Sequence, residues 1–289
     1  MAQESHQIYG TYFRTPFSLK GVKALQCDIR NRDSIKQVLE SVQADRIFHL
    51  AGQTTIPASW QDFEGTFAAN LFGTYYLLDI LRDKNLRPRV VIAGSSSEYG
   101  TLREGDKAHR EHTNFHPANP YALSKVSADL LGELYFRVFQ LPVLRVIPFY
   151  IIGPRKEPDA PSDFAKAIAR HARGEEVPLG VGNLGVLRDV VDVRDAVEGL
   201  CLIAEKGEAG TVYNLCGGRE TSLREILDLM LKISGSKIEI IQDASKLRKG
   251  DETRIIGNPD QLRALGWRPS ISLEETLDSI LKYWSRQER

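Results

Sequence analysis

Short apolar runs alternate with polar, helix-periodic stretches through the first half of the chain. Gln7–Tyr12 and Val22–Gln26 read as strands, the second closing on Asp28. A helix is expected from about Asp33 to Ser41, ahead of a strand through Arg46–Leu50 that ends in the small residues Ala51 and Gly52. An amphipathic helix is expected from about Phe63 to Asp83, and the β-branched run Arg89–Ala93 then reads as a buried parallel strand. Asn119 is a favourable N-cap and Pro120 suits a first helical turn, so a helix is expected from Pro120 to about Phe139, followed by a strand at Val143–Ile147. Strands alternating with helices imply a parallel sheet covered on both faces. Past Gly153-Pro154 proline and charge increase. Helices are expected there at about Ser162–Gly174, Ser222–Ser234 and Ser272–Arg289, with a returning strand at Val212–Leu215.

The helix after Asn119 carries Tyr121 and Lys125 on one face at i,i+4 spacing. A free tyrosine has a pKa of about 10, and an ammonium roughly 4 Å away together with the positive helix N-terminus is expected to lower it by roughly 3 units. Such a phenol exchanges a proton with an alcohol or ketone oxygen while a hydride moves at the same carbon. Taken alone, Tyr-x-x-x-Lys is more often an ordinary helix face. Upstream, however, Arg89–Ala93 runs into Gly94-Ser95-Ser96-Ser97-Glu98-Tyr99-Gly100, which puts hydroxyls at the carboxyl end of a strand, where open α/β sheets bind ligands. Ala51-Gly52 ends the preceding strand in residues small enough for a flat cofactor to reach the backbone.

The bulk numbers narrow the classes. The 289 residues fit one large or two modest domains, and 38 Lys and Arg against 38 Asp and Glu leave no net field to draw nucleic acid or an anionic membrane. No apolar run reaches ~18 residues, and the first residues lack the pattern of a secretory leader. Cys27, Cys201 and Cys216 lack metal-ligand spacing and read as reduced core residues of a cytoplasmic protein; no metal site is expected.

Strand end, hydroxyl turn and tyrosine helix together resemble the extended short-chain dehydrogenase/reductase superfamily, the NAD-dependent epimerase/dehydratase type. Gly182-Asn183-Leu184, Arg188-Asp189, Asp192-Val193-Arg194-Asp195, Asp163–Lys166, Tyr213-Asn214 and Leu247-Arg248 through Ile256-Gly257 are similar to the group of GDP-mannose 4,6-dehydratases and GDP-4-keto-6-deoxymannose reductases. The resemblance implies a Rossmann-like doubly wound α/β sheet with a smaller α/β substrate domain. Residues 1–154 and about 186–217 would form the cofactor domain, and about 155–185 and 218–289 the nucleotide-sugar domain. It implies Ser95, Tyr121 and Lys125 as catalytic residues. Arg14, Asp28, Ile29, Ala51, Gly52, Gln53 and Asn70, with Tyr121 and Lys125, would bind the cofactor. Arg14 sits where an arginine pairs with a 2′-phosphate, favouring NADP(H) over NAD(H). Ser96, Ser97, Tyr150, Asn183, Arg188 and Arg248 would bind a GDP-hexose substrate. A homodimer is implied through the helices Phe63–Asp83 and Pro120–Phe139, with Tyr75, Leu78, Leu130, Leu134 and Phe136 among their apolar residues.

Three departures qualify the resemblance. The family's glycine-rich β-α unit has no counterpart, because the chain begins at what looks like the second strand. Gly180-x-Gly182-x-x-Gly185 leads into no helix and is a decoy. Ser97 stands where the dehydratases carry a glutamate base, with Glu98 one residue off, which favours ketone reduction or epimerisation over dehydration. Tyr150 replaces a usual asparagine and Ile147 a usual arginine. The expected activity is NADPH-dependent reduction of a 4-keto-6-deoxy GDP-hexose. The rivals are a dehydratase or epimerase using NAD(P), and a cofactor-poor pseudoenzyme that keeps the nucleotide-sugar domain as a binding module.

Overall fold

Period-two alternation in the central strands decides the layering: Val90 and Ile92 face one side of the sheet while Val91 faces the other, all three essentially inaccessible. The computed structural model describes residues 6–247 and 252–287. Strands β1 (Ile8–Tyr12) and β2 (Val22–Gln26) form a parallel pair, and α1 (Arg32–Ser41) follows, capped by the Asn31 side chain. After β3 (Arg46–His49) come the short helices α2 (Ile56–Gln61) and α3 (Phe63–Phe67), a wide π-type turn at Ala68–Phe72, and α4 (Gly73–Asp83). The single helix expected over Phe63–Asp83 is therefore divided, with the π turn at its centre.

Strand β4 (Arg89–Ala93) leads through the hydroxyl turn to α5 (Pro120–Phe139), which ends on Gln140 in a left-handed conformation. Then follow β5 (Val143–Pro148), β6 (Tyr150–Ile152), α6 (Ala160–His171), β7 (Leu179–Val181), β8 (Leu187–Asp192), α7 (Val193–Lys206), β9 (Val212–Leu215) and β10 (Glu220–Ser222). The chain closes with α8 (Leu223–Ser234), β11 (Ile240–Gln242), β12 (Arg254–Ile255), α9 (Asp260–Ala264) and α10 (Leu273–Gln287).

β3, β4, β5 and β9 form a parallel sheet in that order. Helices α1, α4 and α5 cover one face through Ile35, Leu77, Leu78, Leu81 and Tyr135, and α7 covers the other through Ala196, Ile203 and Ala204. Among the described residues β1 and β2 pair only with each other, so the strands of the first half lie in two separate sheets. Ile8 on β1 and Phe48 and Leu50 at β3 are left exposed. A distinct apolar cluster joins α6, α8 and α10 through Phe164, Ile168, Ile226, Met230, Ile280 and Trp284. Short strands connect the parts, with β8 receiving β6, β10 and β12.

Some expectations need correction. Cys27 and Cys216 are buried, but Cys201 is exposed because it lies opposite the buried face of α7 formed by Ala196, Gly199 and Ile203. Leu78 is fully buried, and Tyr75 and Phe136 pack against the same core, so these three do not form an outer face. Leu130 and Leu134, by contrast, are exposed, in line with Leu123 and Val138 on α5.

Candidate active site

The carboxyl end of β4 and the amino end of α5 build the centre of the site. Ser95 begins a tight helical turn over Ser96–Glu98 by accepting a hydrogen bond from the Ser97 amide at 3.3 Å, while Glu98 Oε1 accepts one from the Ser95 amide at 2.7 Å. Glu98 is thereby turned inward and fully buried, and desolvation together with nearby Asp129 holds its carboxyl well above the usual range. Gly94 lets this carboxyl approach, since a Cβ there would overlap Glu98 Oε1. On the facing helix, Asn119 Oδ1 accepts from the Ala122 amide at 2.9 Å, which sets the start of α5 and hence the direction of Tyr121.

Tyr121 is half-buried, with the Ser95 side chain near its phenol. Its pKa is pushed up to about 12, first by burial and further by Glu98 and Glu252, against the lowering effect of Ser95. The expected depression is thus reversed. The Lys125 ammonium donates instead to the Ala93 carbonyl at 2.7 Å, and burial lowers its own pKa against the attraction of Glu98. Desolvation of the phenol dominates, so Tyr121 is a protonated donor at neutral pH.

Asn70 occupies the π turn and ties three segments together. Its Oδ1 accepts from the Gln53 amide at 2.8 Å, and its Nδ2 donates to the Gln53 carbonyl at 3.0 Å and to Ser124 Oγ at 2.9 Å. The Ala51–Gln53 loop is thereby clamped to the tyrosine helix. Gly52 fits only without a side chain, since a Cβ there would lie 2.5 Å from Asn70 Oδ1 and 3.8 Å from Lys125 Nζ. Gln53 Oε1 is buried without a hydrogen-bond partner.

Beyond β1 and β2, Arg14 and Arg30 both lie against the Phe13 ring, 4.9 and 4.7 Å from its centre. Arg30 also forks onto Asp28, with its Nε 2.9 Å from Oδ1 and its Nη2 2.8 Å from Oδ2. Asp28, expected to bind the cofactor, has its carboxylate engaged by Arg30, which leads the causes holding it below the usual range. Sequence reasoning misses this second arginine; its spacing from Asp28 is the only signal the chain carries for it. Ile29 backs this end by packing against Gly73 of α4. These residues suit a nicotinamide dinucleotide: two arginines beside Phe13, the Ala51–Gln53 loop with its buried acceptor, and Lys125 and Tyr121 on α5.

The expected substrate residues are dispersed. Ser96 is half-buried on the hydroxyl turn. Ser97 is buried and donates to Glu252 Oε2 at 3.0 Å. Tyr150 donates to Asp159 Oδ1 at 2.8 Å, with Lys156 4.4 Å from its ring centre and Arg188 among the charges near it. Arg188 is half-buried on β8 and donates to the Leu187 carbonyl at 3.0 Å. Asn183 is exposed; its Oδ1 caps the turn at the Gly185 amide, and it lines a cleft of about 590 Å³ with Leu184, Ser222, Arg224, Gln242 and Leu247. Arg248 lies outside the described residues. The G-x-G-x-x-G match is a packing device: a Cβ on Gly182 would sit 2.7 Å from the Lys246 carbonyl, and one on Gly180 would meet Asp243 at 3.2 Å. No helix follows it.

The family model described as GDP-mannose 4,6 dehydratase matches residues 11–280. The chain belongs to that family, within the extended short-chain dehydrogenases/reductases. It is 33% identical over 286 residues to a GDP-6-deoxy-D-mannose reductase of Pseudomonas aeruginosa, covering 98% of this chain and 93% of the relative. Its fold matches the solved structure of RMD from Pseudomonas aeruginosa complexed with NADPH with a TM-score of 0.85 at 32% identity, over 93% of this chain and 92% of that one. It also matches a UDP-glucose 4-epimerase of Thermus thermophilus in complex with NAD, with a TM-score of 0.83 at 26% identity, over 92% and 86% of the two chains. The relatives are NAD(P)-dependent sugar-nucleotide reductases, dehydratases and epimerases, and this chain is an enzyme of that class. Among the described residues no helix is long and apolar enough to cross a membrane.

Proposed function

We propose that the protein reduces a 4-keto-6-deoxyhexose carried on GDP, with NADPH as the reductant. The observation that carries this reading is the Tyr121 phenol, set near Ser95 at the start of α5 and held protonated by its surroundings. Reduction of a ketone needs a proton for the developing alkoxide, and a neutral phenol supplies it. Ser95 orients the carbonyl oxygen toward Tyr121, and Lys125, fixed on the Ala93 carbonyl, braces the inner end of the cofactor groove. When bound, the nicotinamide supplies hydride to the keto carbon. Glu98 has its carboxyl buried against the Ser95 amide, which weighs against its use as a base for dehydration. The paired arginines at Phe13 favour NADPH over NADH.

Residues 1–154 with about 186–217 form the cofactor half in this reading, and the α6–α8–α10 cluster forms the core of the nucleotide-sugar half. Arg188 and Asn183 are assigned to the diphosphate and nucleotide. A homodimer is proposed through the outward stripe Leu123, Leu130, Leu134 and Val138 of α5, beside exposed Phe63 and Phe72; light scattering at micromolar concentration reads the mass, and a monomer overturns it. A cytoplasmic location is part of the same proposal, supported by three cysteines that form no disulfide. The activity is tested by following NADPH consumption with GDP-4-keto-6-deoxymannose. Tyr121→Phe should lower turnover by about 10²–10⁴-fold with nucleotide-sugar binding nearly intact. A variant turning over within about threefold of the parent refutes the assignment.

A further inference from the structure

Glu252 lies 155 positions from Ser97 in sequence, yet the two side chains meet at 3.0 Å. Both are largely buried, at 6% and 8% exposure. The segment that brings Glu252 there is held from both sides. Arg254 and Ile255 pair with Leu187 and Arg188 of β8, the Leu102 amide donates to the Arg254 carbonyl at 2.8 Å, and the Thr253 amide donates to Thr101 Oγ1 at 3.1 Å. One short strand therefore joins the strand bearing Arg188 to the chain that follows the hydroxyl turn. Glu252 sits at the inner end of that join and is close enough to Tyr121 to act on its phenol electrostatically.

We propose that Glu252 is a specificity-determining residue that accepts a hydrogen bond from the sugar hydroxyl on the carbon next to the reacting carbonyl. The proposal rests on the reductase reading for the placing of the sugar between Tyr121 and Arg188. With the carbonyl oxygen on Ser95 and Tyr121, the hydroxyl on the neighbouring carbon would be directed toward Ser97, two residues beyond Ser95 on the same turn. Ser97 donates its own proton to Glu252 Oε2, so the direction of the carboxyl group is set by the fold rather than by free rotation. A buried acceptor recognises a hydroxyl strongly, because a substrate lacking it removes a hydrogen bond from groups already withdrawn from water. The favoured substrates are hexoses with a free hydroxyl beside the keto carbon, and 3-deoxy sugars are disfavoured.

The test uses calorimetry on the whole chain with three probes: GDP, GDP-mannose and GDP-3-deoxymannose. The parent should bind GDP-mannose about tenfold or more tightly than the 3-deoxy compound. Glu252→Ala should bring the two within about twofold of each other while leaving GDP affinity unchanged, and Glu252→Gln, a neutral acceptor, should fall between. If Glu252→Ala does not fold, Glu252→Gln and Ser97→Ala carry the test, each reducing the discrimination. An unchanged preference in the variants, or equal weakening of all three probes as a merely structural role predicts, overturns the proposal. So does dehydration of GDP-mannose by the parent that is lost in Glu252→Gln, which would make the residue a base. Failure of NADPH-dependent turnover in the parent refutes the reductase reading instead, since the binding ratios are measured without it.

Discussion

Asn70→Ala removes three hydrogen bonds at one stroke, two to the backbone of Gln53 and one to Ser124 Oγ. Asn70 is 2% exposed, so the groups it leaves have little water to replace it. At about 1 kcal/mol net for each bond, the loss of stability is about 3 kcal/mol. The damage is also local. The Ala51–Gln53 loop loses its tie to α5, so the Gln53 amide should exchange with deuterium far faster than the amides of β4, and NADPH affinity should fall with it. Asn70→Asp keeps the acceptor for the Gln53 amide and loses both donors, so it should fall between parent and alanine variant in loop protection. Urea unfolding of Asn70→Ala gives the global figure. A change below about 1 kcal/mol with unaltered Gln53 exchange would refute the clamp.

Three further outcomes are expected. Gly52→Ala forces a methyl to within 2.5 Å of Asn70 Oδ1 and should lower NADPH affinity more than GDP affinity, read by calorimetry. His49 is bonded to Thr74 Oγ1 at 3.0 Å, and burial lowers its pKa from 6.5 to about 4. Its neutral form is the folded one, so the stability it contributes is intact above pH 6.5 and is lost as pH falls toward 4; urea melts of His49→Gln should show a shallower loss across that window. The described fold keeps β1–β2 apart from β3 and its only G-x-G-x-x-G serves packing, so this 289-residue chain should bind NADPH more weakly than a GDP-sugar. Submicromolar NADPH binding would contradict that order.

Local signals carried most of the architecture. The runs at Val90–Ala93 and Val143–Ile147 became paired central strands because nearly continuous apolar, β-branched runs suit a sheet covered on both faces. Asn119 and Pro120 set the start of α5, and with it the place of Tyr121, as their cap chemistry requires. What escaped is tertiary. The pKa of Tyr121 depends on how much protein surrounds it, which i,i+4 spacing cannot convey. Glu252 reaches Ser97 through a strand of two residues, too short for any periodicity. Cys201 sits in an apolar stretch of sequence but on the wrong side of α7, and only the helix packing decides that side.

The π turn at Ala68–Phe72 has a consequence for how this sequence tolerates change. An ordinary helix advances about 100° per residue, so one extra residue in a single turn shifts the phase of everything beyond it. Within the turn, Asn70 points to the Gln53 loop; beyond it, Leu77, Leu78 and Leu81 point to the sheet. Both directions are right only because the turn absorbs the difference. Deleting one residue here would restore a regular helix and swing one half out of phase with the other, costing either the clamp or the core. Substitutions along Phe63–Asp83 should therefore be tolerated far better than any change in its length.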